Sequence, residues 1–123
     1  MEKVVFIVDD NETNLTAGAA ALEGEYKVLT MTSAKKMFDL IELYNQIPDL
    51  ILLDVEMPDM NGIEAIVELK KREKWRGIPV VFLTGWADEG LKIDTEDMGA
   101  LDMIGKPFDP AALQECVRKY IKK

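Results

Sequence analysis

Five polar side chains stand where apolar runs of this sequence stop. Asp9 and Asp10 follow Val4–Val8, Asp54 follows Leu50–Leu53, Thr84 follows Val80–Leu83, and Lys106, with Pro107 behind it, follows Ala100–Ile104. Three carboxylates gathered in one place repel one another, and each raises the pKa of the others. A divalent cation removes that conflict. An all-oxygen donor set suits Mg2+, which keeps several waters and takes few carboxylates. Taken singly, each residue has a plainer use: Asp9-Asp10 as a turn after a strand, Asp54 as a helix cap, Thr84 as a strand-end hydroxyl, Lys106 as a solvated cation. Their joint placement after different apolar runs is what points to a single site with chemistry.

The elements that would position these residues alternate along the chain. Val4–Val8 is a near-continuous apolar run, as expected of a strand covered on both faces. Residues 13–23 put Leu15, Ala19 and Leu22 on one helical face, with Gly24 as a stop signal. Tyr26–Met31 reads as a second strand, and Ser33 can cap a helix carrying Met37, Phe38 and Ile41. Leu50–Leu53 is a third strand, and Ile63, Ile66, Val67 and Leu69 mark a third helix. Val80–Leu83 follows as a fourth strand. Residues 87–98 form a weaker fourth helix, interrupted by Gly90 and several acids, and Ala100–Ile104 a short fifth strand. Pro110 suits the first turn of a last helix whose Leu113, Val117, Tyr120 and Ile121 face inward. Five strand–helix repeats predict a doubly wound α/β domain over residues 1–123, a parallel sheet with helices on both faces. Ligands in such sheets bind beyond the carboxyl ends of the strands, where all five polar residues emerge.

Four stretches carry a resemblance: Val8-Asp9-Asp10-Asn11, Leu53-Asp54-Val55-Glu56-Met57-Pro58-Asp59-Met60-Asn61-Gly62, Leu83-Thr84-Gly85 and Gly105-Lys106-Pro107-Phe108. The chain resembles a receiver domain of two-component response regulators across its whole length. The resemblance implies a five-stranded, flavodoxin-like sheet in the order 2-1-3-4-5. It also implies a switch that takes a phosphoryl group from a sensor histidine kinase or phosphotransfer protein onto Asp54. Asp10 and Asp54 would ligate Mg2+ directly, Asp9 through water or as a second ligand, and the backbone carbonyl of Glu56 would complete the protein's share. The metal would neutralise charge spread over the phosphoryl oxygens. Lys106 would make a charge-assisted contact to those oxygens, Thr84 would donate its hydroxyl to them, and Gly85 would leave room for that movement. The Lys106–Pro107 bond is expected to be cis. Phosphorylation would shift the surface made by the fourth helix, fifth strand and last helix, a site for an output partner or for homodimerisation. Such a protein accepts and slowly loses its phosphoryl group and is not a turnover enzyme on a separate substrate.

Two positions depart from the family's common pattern. Met103 stands where an aromatic switch residue is frequent, which implies looser rotamer coupling to the output surface. Trp86 lies two residues after Thr84, beside the path by which water would reach an acyl phosphate. We expect Trp86 to slow self-dephosphorylation by covering Asp54, with Glu56 tuning it. Three other readings fit less well. A haloacid-dehalogenase-like phosphatase needs its two aspartates separated by one residue after the first strand. A flavin-binding module needs a phosphate-cradling loop where Asp9-Asp10-Asn11-Glu12 stands. A degenerate receiver acting only as an interaction module would not keep all five site residues.

Composition excludes further classes. The 123 residues carry 15 basic and 23 acidic side chains, a net charge of -8, which speaks against nucleic-acid binding by this domain alone. The absence of histidine removes histidine-based catalysis and the usual zinc sites, and means that any phosphohistidine must come from a partner. Cys116 is the lone cysteine and reads as a small core residue; with no internal disulfide to form, it agrees with a reducing compartment. No apolar run approaches the roughly 18 residues that span a membrane, and the N-terminus lacks the pattern of a signal peptide. The expected location is the cytoplasm.

Overall fold

The computed structural model describes residues 2–85 and 99–121. Its elements are β1 (Val4–Val8), α1 (Glu12–Leu22), β2 (Lys27–Met31), α2 (Ala34–Leu43), β3 (Leu50–Asp54), α3 (Gly62–Lys71), β4 (Val80–Thr84), β5 (Asp102–Gly105) and α4 (Pro110–Tyr120). The helix expected over 87–98, and Trp86 before it, lie outside the described residues.

The strands form one parallel sheet in the order β2-β1-β3-β4-β5. Because strand side chains alternate between faces, the continuous apolar runs fill two cores at once. Phe6, Val8, Ile51, Leu53, Val80 and Phe82 pack under α2 and α3 against Met37, Ile41, Ala65, Ile66 and Leu69. Val5, Ile7, Leu50, Leu52, Val81 and Leu83 face the other way, against Leu15 and Leu22 of α1 and Leu113 and Val117 of α4. Each such fully buried aliphatic or aromatic side chain stabilises the fold by about 1.5–3 kcal/mol before entropy is counted. The three inner strands are therefore held rigidly, and the residues at their carboxyl ends inherit that rigidity.

Local chemistry sets the ends. Asn11, Ser33, Asn61 and Asp109 cap α1, α2, α3 and α4, each accepting a backbone N–H from three residues on. Asn61 and Glu64 form a reciprocal capping box at α3.

Three sequence expectations shift. The second strand begins at Lys27, with Tyr26 buried just ahead of it. The fifth runs over Asp102–Gly105 instead of Ala100–Ile104, because pairing with β4 continues to the end: Gly105 lies opposite Thr84, and the Lys106 N–H donates to the Thr84 carbonyl at 2.8 Å. Val67 points outward at 48% exposure, while Ala65 takes the inward position beside Ile66. Among the described residues no helix is long and apolar enough to cross a membrane.

Candidate functional site

The carboxyl ends of β1, β3 and β4 bring Asp9, Asp54 and Thr84 together in an almost solvent-free setting, at 0, 1 and 1% exposure. Asp10 follows Asp9 but turns into solvent. One carboxylate oxygen from each of Asp9, Asp10 and Asp54 lies within 4.8 Å of the others, so the three acids expected to converge do so. Lys106, delivered by the turn after β5, reaches across them. Its Nζ donates to Asp54 Oδ1 at 2.9 Å and to Asp9 Oδ2 at 3.2 Å. The Lys106–Pro107 peptide bond is cis, as expected.

The two buried aspartates are held differently. Asp9 is fully occupied: Oδ1 accepts the Asn11 N–H at 2.9 Å, and Oδ2 accepts Asn14 Nδ2 at 3.1 Å as well as Lys106. Asp54 uses only Oδ1, which accepts Lys106 and the Glu56 N–H at 3.2 Å. Among the described residues Asp54 Oδ2 is buried without a hydrogen-bond partner. A buried acceptor in that condition is costly. Removal of water is the main cause that pushes the Asp54 carboxyl up, to about 7, and the charge of Asp9 adds to it; Lys106 and the Glu56 N–H act in the opposite direction. Burial alone would lower the Lys106 ammonium, but the hydrogen bond and charge of Asp54, then of Asp9, outweigh it and hold Lys106 above its ordinary value. The lysine is thus firmly charged, and one cation does not offset the acids around it.

That imbalance fits a hard dication. The Asp54 carboxylate, short of a partner, and the exposed Asp10 carboxylate beside it offer oxygen donors and an open side for the waters that Mg2+ retains. Glu56 stands two residues beyond Asp54, its side chain exposed. Among the described residues nothing lies within 4 Å of where a Cβ on Gly85 would stand. Met103 is partly buried against the α2–α3 core and lies opposite Phe82 in the sheet. Pro107 is exposed.

A scan against protein-family models matches residues 5–118 to the response regulator receiver domain. The chain belongs to the response regulator receiver family. Among curated relatives, the polar-differentiation response regulator DivK of Brucella ovis is 32% identical over 122 residues, 98% of each chain. A putative response regulator from Chloroflexus aurantiacus superposes over the whole of both chains with a TM-score of 0.89 and 27% identity. So does the receiver domain of sensor histidine kinase PA1611 from Pseudomonas aeruginosa PAO1, with a TM-score of 0.84 and 27% identity; its structure has a magnesium ion coordinated in the active site cleft. The flavodoxin-like order 2-1-3-4-5 agrees with this membership. The general role of the chain is that of a phosphoacceptor switch in two-component signalling. Receiver domains bind Mg2+ at their acidic pocket and interact with histidine kinases or phosphotransfer proteins.

Two residues at the receiver site were not assigned a role from sequence. Asn14, one helical turn after the Asn11 cap, donates to Asp9. Gly62 opens α3 directly against the backbone of Asp54, where a Cβ would stand 2.3 Å from the Asp54 carbonyl oxygen. The i, i+3 spacing of Asn11 and Asn14 on the helix start was the available signal for the first. For the second it was the glycine at the first helical position after a loop.

Proposed function

We propose that Asp54 accepts a phosphoryl group from the phosphohistidine of a sensor histidine kinase or phosphotransfer protein, and that the resulting acyl phosphate shifts the chain's conformation toward an output partner. The observation that supports this most is the buried Asp54 Oδ2: among the described residues it has no hydrogen bond to give up. That oxygen attacks phosphorus; the P–O bond forms as the P–N bond breaks, and the electron pair leaves with the imidazole nitrogen. Asp10, Asp54 and the Glu56 carbonyl would hold Mg2+, with Asp9 acting through water or as a second ligand. When bound, the ion supplies charge neutralisation for the phosphoryl oxygens and favours the ionised form of Asp54. Lys106 leaves Asp54 Oδ1 for the phosphoryl oxygens, and Thr84 donates its hydroxyl to them.

No separate substrate is turned over in this reading; the protein is a switch that slowly returns to its resting state. The surface of β5 and α4 is where a second copy or an output partner would meet it. The acidic net charge supports a protein partner over nucleic acid, and the lone Cys116 fits a reducing compartment, the cytoplasm. Incubation with acetyl phosphate and Mg2+, followed by intact mass measurement, tests the proposal. Wild type should gain one phosphoryl group, and Asp54→Asn none; equal labelling of the two would overturn it.

A further inference from the structure

We propose that Asn14 is a positioning residue that keeps Asp9 hydrogen-bonded when Lys106 moves to the phosphoryl group. The inference rests on Asp54 being the phosphoacceptor, and it concerns a residue that makes no contact with the reacting atoms. Lys106 starts from a divided position, with its Nζ 2.9 Å from Asp54 Oδ1 and 3.2 Å from Asp9 Oδ2. To bind a phosphoryl group on Asp54 it must loosen its hold on Asp9. Asp9 is wholly buried, and a buried carboxylate that loses its partner is strongly destabilised. The pull of Asp9 on Lys106 is therefore a barrier to the switch unless a second donor stays behind.

Asn14 is that donor. Its Nδ2 reaches the same oxygen, Asp9 Oδ2, at 3.1 Å. Its backbone N–H is tied to the Asn11 cap at 3.2 Å, which fixes it to the first turn of α1. A neutral amide does not offset the acid charges as a lysine does, so it satisfies Asp9 without competing for Lys106 or for the cation. With Asn14 in place, departure of Lys106 leaves both Asp9 oxygens bonded, Oδ1 to the Asn11 N–H and Oδ2 to the Asn14 amide. With leucine at position 14, Lys106 becomes the one remaining side-chain donor to Oδ2 among the described residues. It is then held in the resting arrangement.

The test uses the full chain and two probes: Mg2+ alone, and beryllofluoride, a phosphoryl mimic, at saturating Mg2+. Dissociation constants are measured by calorimetry for wild type, Asn14→Leu, Asn14→Ala and Asp54→Ala. Asn14→Leu should weaken beryllofluoride binding about tenfold, the size of one charge-assisted hydrogen bond at the low end of its range. Its Mg2+ constant should move less than twofold, about the resolution of the comparison, because Mg2+ alone does not require Lys106 to leave. Asn14→Ala, smaller, uncharged and equally unable to donate to Asp9, should weaken beryllofluoride binding about as much and serves if the leucine variant folds poorly. A merely structural role would move both constants together. That outcome, or an unchanged beryllofluoride constant in both variants, overturns the assignment of Asn14. Failure of wild type to bind beryllofluoride, or equal binding by Asp54→Ala, would instead overturn the reading of Asp54.

Discussion

Gly62 and Asp54 are in backbone contact: a Cβ on Gly62 would stand 2.3 Å from the Asp54 carbonyl oxygen and 2.9 Å from the Val55 Cα, while the Gly62 N–H donates to the Val55 carbonyl at 2.9 Å. The start of α3 thus rests on the strand end that presents the acceptor, and no side chain fits between them. Both neighbours are backbone atoms and cannot rotate away. Gly62→Ala should destabilise the fold by about 3 kcal/mol through overpacking, checked by urea unfolding. It should also slow labelling by acetyl phosphate, because any relief of the clash displaces Asp54.

The raised Asp54 carboxyl gives stability a definite pH dependence. Its folded pKa of about 7 lies above the ordinary 3.8. Across that window the folded chain keeps a proton that the unfolded chain has lost, so the contribution of this group to stability falls as pH rises and levels off above about 7. Without Mg2+, Asp54→Asn should be more stable than wild type at pH 8 by about 2 kcal/mol. The advantage should shrink toward zero near pH 4. Thermal unfolding at both pH values checks this; a constant difference would contradict it.

Lys106→Met separates charge balance from phosphoryl chemistry. The ammonium that bridges Asp9 and Asp54 is lost, leaving two buried carboxylates facing each other, so the metal-free variant should lose about 2 kcal/mol at pH 8. The same excess negative charge should tighten Mg2+ binding severalfold while labelling by acetyl phosphate slows. Calorimetry and intact mass measure the two effects, and weaker Mg2+ binding would count against the charge account.

Asn61→Ala removes the capping box at α3 and should cost about 1 kcal/mol. Since α3 carries Gly62, the loss should also raise amide hydrogen exchange in its first turn. Unchanged exchange there would show that the cap does not hold the turn.

How far the sequence reached depended on what kind of contact was at stake. β1, β3 and β4 were legible as unbroken apolar runs, since both faces of the sheet are covered, and the polar residues after them were found because the topology allows only one edge for them. Asn14 was not legible because it reaches Asp9 from the first turn of α1 and not from a strand end, and Gly62 because its contact is with backbone 8 residues away in sequence. Trp75 follows no period at all. It is buried in the turn after α3, with its ring 5.8 Å from Phe38 and the Arg72 guanidinium 4.7 Å over it, a contact between separate elements that no local pattern encodes. Val67 marks α3 but faces outward, since a period of 3.6 cannot choose between adjacent apolar residues until the partner face is known.

The most direct test of the central claim, that Asp54 is the residue that bonds to phosphorus, is to locate the acyl phosphate chemically. The chain is treated with acetyl phosphate and Mg2+, reduced with borohydride, which converts an aspartyl phosphate to homoserine, and mapped by peptide mass spectrometry. The account predicts homoserine at position 54 and unmodified aspartate at positions 9 and 10. Homoserine at position 9 or 10, or a label that survives at a hydroxyl such as Thr84, would contradict it.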